Sequence, residues 1–197
     1  MLVLDPRTHQ PATEQRILLH DVAWAEYTQL ADAFRNRFPR MHYLEGTLEL
    51  LMTTSPEHEG LKKLIARLLE TYAMEKRLNL NGYGNTTFRD EAVRRGAEPD
   101  ECYCLGELEG IPDLVIEIAL TSGGIDKLGV YAGLKVPEVW FWQDDRLRLY
   151  YQQGDSYQEC DCSLLFPKLD IALLSQFMGY RNQTEAAIAY RDALQSR

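Results

Sequence analysis

The spacing of apolar residues predicts two helices in the first part of the chain. Asp21 can cap a helix over about residues 22–35, in which apolar residues recur at helical spacing. Ser55 followed by Pro56 is typical of a helix start, with serine as the cap and proline in the first helical position. This second helix is expected to extend to about residue 78. Its predicted buried stripe is Leu61, Leu64, Ile65, Leu68, Leu69 and Tyr72.

Short runs rich in apolar and β-branched residues predict strands through the rest of the chain. The first two, at 41–44 and 47–52, are joined by a tight Glu45-Gly46 turn. Later strands are predicted at 101–105, 114–120, 139–142, 147–152 and 156–160, and helices near 125–134, 170–178 and 183–195. This order predicts an α/β protein with a central mixed sheet flanked by helices. Residues 1–20 are interpreted as a loose lead-in, and residues 21–197 as a single domain.

One carboxylate interrupts the most apolar of the predicted strands. Residues 114–120 are apolar except at Glu117, and burying a carboxylate without a partner is costly. Asp113 shares a strand face with Glu117, but four residues along a strand span roughly 13 Å, too far for easy ligation of one ion. If 101–105 pairs with 114–120, Asp100 converges with Glu117 instead. Two carboxylates on adjacent strands, with a lysine nearby, form a site for a hard divalent cation.

The residues of this stretch are similar to the motif of the PD-(D/E)xK nuclease superfamily. The matching residues are Pro99-Asp100, Glu117 and Lys127. A wider set of motifs resembles the Uma family, a bacterial family described as restriction endonucleases, over about residues 24–177. This set comprises Glu98-Pro99-Asp100-Glu101-Cys102, Pro112 to Glu117, Lys127, Tyr131 and Val136-Pro137-Glu138-Val139-Trp140. The superfamily places its lysine two residues after the acid, where this chain has Ala119, so the resemblance points to Lys127 as a migrated lysine.

The resemblance implies a restriction-endonuclease-like core and metal-dependent hydrolysis of DNA phosphodiester bonds. Asp100 and Glu117 would hold Mg²⁺ or Mn²⁺, and Lys127 would position the attacking water or stabilise developing charge. Superfamily sites often take another acid from the region around the second helix. The candidates there are Glu45, Glu49, His58 and Glu59, whereas Asp113 is ranked lower, as a residue that caps or orients the strand start. Related nucleases pair two sites to cut two strands, so a homodimer is expected, with the strands near 139–151 supplying an edge or face.

Composition and charge restrict the partners of the chain. No apolar segment approaches the length of a membrane span and no secretory signal is evident, so the sequence predicts a cytoplasmic protein without membrane contact. The formal net charge of −9 opposes casual binding to DNA, because phosphate contacts require Lys and Arg. Arg89, Arg94 and Arg95 precede Asp100 and are candidates for phosphate contacts, although a solvated loop also explains them. Arg35, Arg37 and Arg40 are interpreted as a solvated helix end.

Two other functional classes stay open at this point. Ala119 and the acidic charge fit a non-catalytic nucleic-acid-binding or interaction protein on a degenerate nuclease fold. A structural oligomer, in which Glu117 simply pairs with Lys127 in the interior, fits as well. The four cysteines, Cys102, Cys104, Cys160 and Cys162, are expected to be free thiols, because their Cys-x-Cys spacing differs from that of common zinc sites.

Overall fold

The computed structural model describes residues 15–34, 38–120 and 124–196 as an alternation of strands and helices. In chain order the elements are β1 (Gln15–Leu19), α1 (Trp24–Ala33), β2 (Arg40–Leu44), β3 (Thr47–Thr53), α2 (Pro56–Lys76), β4 (Leu80–Gly82), β5 (Phe88–Asp90), β6 (Arg95–Ala97), β7 (Glu101–Leu105), β8 (Leu114–Ala119), α3 (Lys127–Leu134), β9 (Glu138–Gln143), β10 (Arg146–Gln153), β11 (Ser156–Cys160), α4 (Ile171–Gln176), a 3₁₀ turn (Phe177–Gly179) and α5 (Gln183–Gln195). The predicted helices and strands are confirmed, with ends that move by a few residues.

The strands form two sheets. A six-stranded sheet has the order β11-β10-β9-β8-β7-β4 and is mixed, because β8 and β9 run parallel and their neighbours antiparallel. A five-stranded antiparallel sheet has the order β1-β3-β2-β6-β5. The α/β class with a mixed sheet and flanking helices is confirmed. The hairpin of β2 and β3, however, belongs to the second sheet, which the sequence did not separate from the first.

The described residues before α1 contain a strand that the sequence does not predict. Residues 15–19, assigned to a loose lead-in, form β1 and pair with β3. Helix α1 begins at Trp24, and its cap is Ala23, whose N–H donates to the Glu26 carboxylate at 2.8 Å. Asp21, the predicted cap, has a left-handed backbone with φ of 56° and lies before the helix. Residues 1–14 and 35–37, including Arg35 and Arg37, lie outside the described part.

The longest of the described helices, α2, packs against one face of the six-stranded sheet. The Ser55 hydroxyl accepts the N–H of His58 at 3.0 Å, so the predicted cap is confirmed. The buried side of α2 meets β8, β9 and α5 in the largest apolar cluster. This cluster includes Leu64, Ile65, Leu68, Leu69, Tyr72, Leu114, Ile116, Ile118, Trp140 and Tyr190. Leu61, at the end of the predicted stripe, is partly buried against it.

The two faces of β8 pack against different apolar clusters. Leu114, Ile116 and Ile118 face the cluster with α2, whereas Val115 belongs to a second cluster with α3, β5 and β6. Glu117 alternates with its neighbours and therefore shares the face of Val115. The carboxylate of Glu117 thus lies on the side of β8 where α3 and the five-stranded sheet approach, and not in the apolar cluster.

The strands near 139–151 do not form a sheet edge, so of the edge or face expected for a dimer interface only the face is left. β9 pairs with both β8 and β10, and β10 pairs with both β9 and β11. The reason is the parallel return through α3, which inserts β9 beside β8 inside the sheet. Among the described residues, no helix is long and apolar enough to cross a membrane.

Candidate active site

Asp100 lies directly before β7 and is held by two side chains, from β2 and α2, and by a backbone N–H of β8. It is 3% exposed, and its Oδ1 accepts from the Arg40 guanidinium of β2. Its Oδ2 accepts the N–H of Ile118 at 2.8 Å and lies 3.2 Å from His58 Nε2. Burial favours the neutral carboxyl, but the hydrogen bond from His58 and the charge of Arg40 outweigh it. They hold the pKa of Asp100 well below its usual range, so the group is a buried anion.

Glu117 is buried to a similar degree and has its own set of donors. Its Oε2 accepts from Lys127 Nζ at 2.6 Å, and its Oε1 lies 3.2 Å from His42 Nε2. The Tyr131 hydroxyl donates to the same Oε1, and burial together with the charge of Glu117 keeps the pKa of Tyr131 well above its ordinary value. Burial would raise the pKa of Glu117, but the charge of Lys127 and the hydrogen bond with His42 together outweigh it. The pKa of Glu117 is lowered even though the charge of Asp100 acts in the opposite direction.

Strand pairing brings Asp100 and Glu117 together and keeps Asp113 apart. Glu101 of β7 lies opposite Ile116 of β8, so the next position out in this antiparallel pair sets Asp100 beside Glu117. Asp113 lies at the other end of β8, where its Oδ2 accepts the N–H of Leu105 at 2.7 Å. That contact closes the β7–β8 connection. It is the orienting position expected of Asp113, and it lies away from the two carboxylates.

The additional acidic candidates divide into two groups by position. His58 contacts Asp100, and the Glu59 carboxylate lies 3.7 Å from Arg40 and 2.6 Å from Lys62 at the start of α2. Glu49 is buried on the far side of His42, with its Oε1 at 3.7 Å from His42 Nδ1. Glu45 instead forms an exposed ion pair with Arg95 at 3.1 Å. His58 therefore contacts one of the two carboxylates directly. Glu59 and Glu49 approach the residues that hold them, and Glu45 does neither.

The arginines proposed for phosphate contacts lie on the β5–β6 hairpin and its connection. Arg89 pairs with Asp32 of α1 at 3.0 Å. Arg94 has a left-handed backbone, and its carbonyl accepts the N–H of Glu45. Arg95 donates to the Gly129 carbonyl of α3 at 3.3 Å as well as to Glu45. Two of these cations are therefore already paired within the fold.

The chain matches a known protein family in sequence and a solved structure in fold. The Uma2 family model, described as "Putative restriction endonuclease", matches residues 24–180. The chain belongs to the Uma2 family. A crystal structure of "a putative nuclease belonging to DUF820" from Anabaena variabilis ATCC 29413 has the same fold, with a TM-score of 0.54 at 15% sequence identity. The match covers 80% of this chain and 99% of that one. No curated protein matches the chain. Membership of the Uma2 family supports nuclease activity.

Three residues of this Uma2 site were missed by the sequence reasoning. Arg40, interpreted as part of a solvated helix end, is 5% exposed and contacts Asp100. His42 lies on the same face of β2, while Met41 and Tyr43 face the cluster with α1. Polar residues at alternate positions of a predicted strand were the available signal. Tyr131 is four residues after Lys127 on α3, a spacing that places both on one helix face.

The oxygen donors at this Uma2 site suit a hard divalent cation. Among the residues that the structure describes, no group of three or more His, Cys, Asp and Glu side chains could hold a metal ion. Mg²⁺ needs fewer protein ligands, because it keeps several waters and is usually bound through one or two carboxylates and substrate phosphates. Asp100 and Glu117 are two buried, ionised carboxylates on adjacent strands, and that donor set fits. All four cysteines are free thiols.

Proposed function

We propose that the chain is a divalent-metal-dependent endonuclease that hydrolyses DNA phosphodiester bonds. The observation that carries the proposal is the arrangement of three side chains, from the residue before β7, from β8 and from α3. Asp100 and Glu117 are buried beside each other, and the Lys127 amine lies 2.6 Å from the Glu117 carboxylate. The superfamily's lysine position on the strand holds Ala119 in this chain, and Lys127 of α3 would take its role.

Asp100 and Glu117 would hold the cation, Mg²⁺ or Mn²⁺. The lowered pKa values of both carboxyls keep them ionised and able to bind it at neutral pH. When bound, such a cation lowers the pKa of a water ligand and neutralises charge on a phosphate. Arg40 and His58 hold Asp100, while His42 and Tyr131 hold Glu117, so neither carboxylate is free to rotate.

Lys127 would supply the positive charge that the developing phosphate anion requires. Its long stem begins in the first turn of α3, and its side chain is largely buried but remains 15% exposed. A lysine at this position can orient a water or contact a phosphate oxygen without leaving the site. Both roles stabilise charge that is greater in the transition state than in the substrate.

One observation favours a second candidate, a non-catalytic protein on the same fold. Every carboxylate oxygen of Asp100 and Glu117 already has a partner within the protein. The Glu117–Lys127 pair is also the contact expected of a purely structural core. A metal-binding nuclease must exchange part of this network for a cation, whereas a structural core need not.

Calorimetric titration with Mg²⁺ or Mn²⁺ separates these candidates when it is combined with nicking of supercoiled plasmid. The nuclease should bind the metal and cut, and Asp100→Asn should abolish both, because it removes the charge of one ligand. Asp155→Asn is the matched control, since Asp155 is an exposed aspartate paired with Lys135. Metal binding without cutting would support a binding protein, and neither binding nor cutting would support the structural core.

DNA contacts of the proposed nuclease would come from a limited set of cations. The net charge of −9 leaves little general attraction for a polyanion. Arg89, Arg94 and Arg95 remain the candidates. Arg94 has an exposed side chain, whereas Arg89 and Arg95 form ion pairs with Asp32 and Glu45. A homodimer would present two such sites to the two strands of a duplex.

A further inference from the structure

Glu49 connects the five-stranded sheet with the segment that enters α3. It lies on β3, 2% exposed, directly opposite His42 in the β2–β3 pair. Its Oε2 accepts the N–H of Ile125 at 3.1 Å, and its Oε1 faces His42 Nδ1 at 3.7 Å. The two oxygens therefore point at two different structures, the connection that enters α3 and the imidazole beside Glu117.

The backbone N–H held by Glu49 lies two residues before the helix that carries Lys127. Asp126 follows Ile125 and caps α3, with its Oδ1 accepting the N–H of Gly129 at 3.0 Å. Lys127 is the first residue of α3. The position of the Ile125 N–H thus sets where α3 begins, and the start of α3 sets the reach of the Lys127 amine.

Gly124 shows how closely this connection approaches Glu49. Its φ is +108°, in the left-handed region that favours glycine. A Cβ at this position would overlap the Glu49 Oε2 and would lie 3.3 Å from the Arg16 guanidinium of β1. The connection therefore passes so close to the Glu49 carboxylate that a side chain at position 124 would displace one of the two.

We propose that Glu49 is a positioning residue that anchors the start of α3 and thereby holds the Lys127 amine against Glu117. Its other oxygen faces His42, which contacts the opposite oxygen of Glu117. Glu49 thus acts on Glu117 from both sides without touching it. This inference rests on the proposed function for its catalytic consequence, but the positioning itself can be measured without any cleavage.

A carboxylate suits this task better than a neutral acceptor. A hydrogen bond from a backbone N–H to an ionised acceptor is shorter and stronger than one to a neutral acceptor. A buried acid that accepts a backbone N–H on one oxygen and faces an imidazole with the other also fixes the distance between β3 and the α3 entry. Glu49 is accordingly assigned to positioning and not to the metal shell.

The direct test measures the acylation rate of Lys127 by peptide mass spectrometry, with the exposed Lys135 as internal reference. In Glu49→Ala, the freed helix start should raise Lys127 acylation and Ile125 amide exchange by about tenfold, the factor for loss of a hydrogen bond to a charged group. Glu49→Gln keeps an acceptor oxygen but loses its charge, so it should raise both rates less than Glu49→Ala does. Unchanged rates in a folded Glu49→Ala variant would overturn the proposal.

Gly124→Ala tests the same contact from the other side and leaves the buried acid intact. The added methyl group should push the connection off Glu49 and raise Lys127 acylation as Glu49→Ala does. Gly110→Ala is the matched control, because Gly110 also has a positive φ, +87°, but nothing lies within 4 Å of its Cβ position. Equal Lys127 acylation in the two glycine variants would contradict the proposal, even if Glu49→Ala fails to fold.

A double-mutant cycle connects the positioning to turnover. If Glu49 acts through Lys127, Glu49→Ala should lower kcat in the parent chain and have no further effect in a Lys127→Ala background. Fully additive losses would show that Glu49 acts by another route and would overturn the proposal. If no variant cuts plasmid at all, the proposed nuclease function fails, while acylation and exchange still decide the role of Glu49.

Discussion

At the scale of single residues, the site depends on charges that burial alone would remove. Asp100 and Glu117 are almost completely buried, yet the pKa values of both are lowered by partners within hydrogen-bond distance. Removing one member of such a network leaves a buried charge without compensation, which costs more than the pair contributes. The effect of each substitution therefore depends on which partner it leaves behind.

Lys127→Ala should reduce DNA cleavage by roughly a hundredfold, the scale of losing one transition-state charge contact. Metal binding should persist, because the lysine is not a ligand and its loss leaves the Glu117 carboxylate in need of a cation. Nicking of supercoiled plasmid and calorimetric titration measure the two effects. Lys135→Ala is the matched control, since Lys135 pairs with Asp155 at the same 2.6 Å but on the surface. Undiminished cleavage in Lys127→Ala would assign the charge contact to the metal or to Arg89, Arg94 or Arg95.

The lowered pKa of Asp100 predicts sensitivity to acid. The unfolded carboxyl has a pKa of about 3.9 and the folded one a lower value, so the unfolded state binds protons first as the pH falls. This contribution to the free energy of unfolding is complete above about pH 5 and is lost as the pH falls toward the folded pKa. Urea denaturation between pH 7 and pH 3 should show a shallower decline for Asp100→Asn than for the parent chain. Parallel curves would contradict the assignment, and Asp155→Asn, at the surface, should give a nearly unchanged curve.

At the scale of elements, α2 places His58 against Asp100 through its first turn. The Ser55 cap fixes that turn by accepting the N–H of His58 itself. Ser55→Ala should lower the free energy of unfolding by about 1 kcal/mol, the usual cost of losing such a cap. Urea denaturation measures it, with Thr28→Ala as the control, because Thr28 lies inside α1 and caps nothing. A loss no greater than that of Thr28→Ala would show that the cap is not needed.

The elements also show how far the sequence could predict this site. β8, α2 and the Glu117–Asp100 pairing follow from local signals, namely an apolar run, a Ser-Pro start and strand alternation. The burial of Arg40 and His42 depends on where β2 docks. β2 pairs with β6, a three-residue strand about fifty positions later, and that pairing has no local signal. Lys127 was placed by the resemblance, and its contact with Glu117 needed the geometry of α3.

At the scale of the whole molecule, the homodimer remains a prediction. Pairing of β9 and β10 inside the six-stranded sheet leaves a face of these strands, and not an edge, as the predicted contact. Cleavage of both strands of a duplex still calls for two sites. Light scattering should report twice the 22.7 kDa of one chain. A single-chain mass at high protein concentration would exclude the dimer and limit the proposed enzyme to one cut per encounter.

The contacts around the two carboxylates also bear on the stage of folding at which the proposed active site is completed. Arg40 and His42 come from the five-stranded sheet, whereas Asp100 and Glu117 belong to the six-stranded one. A partly folded chain in which the sheets have not docked lacks the contacts of Arg40 with Asp100 and of His42 with Glu117. A newly synthesised chain would therefore complete its proposed active site only when the sheets dock. Copies in which docking fails would not cut.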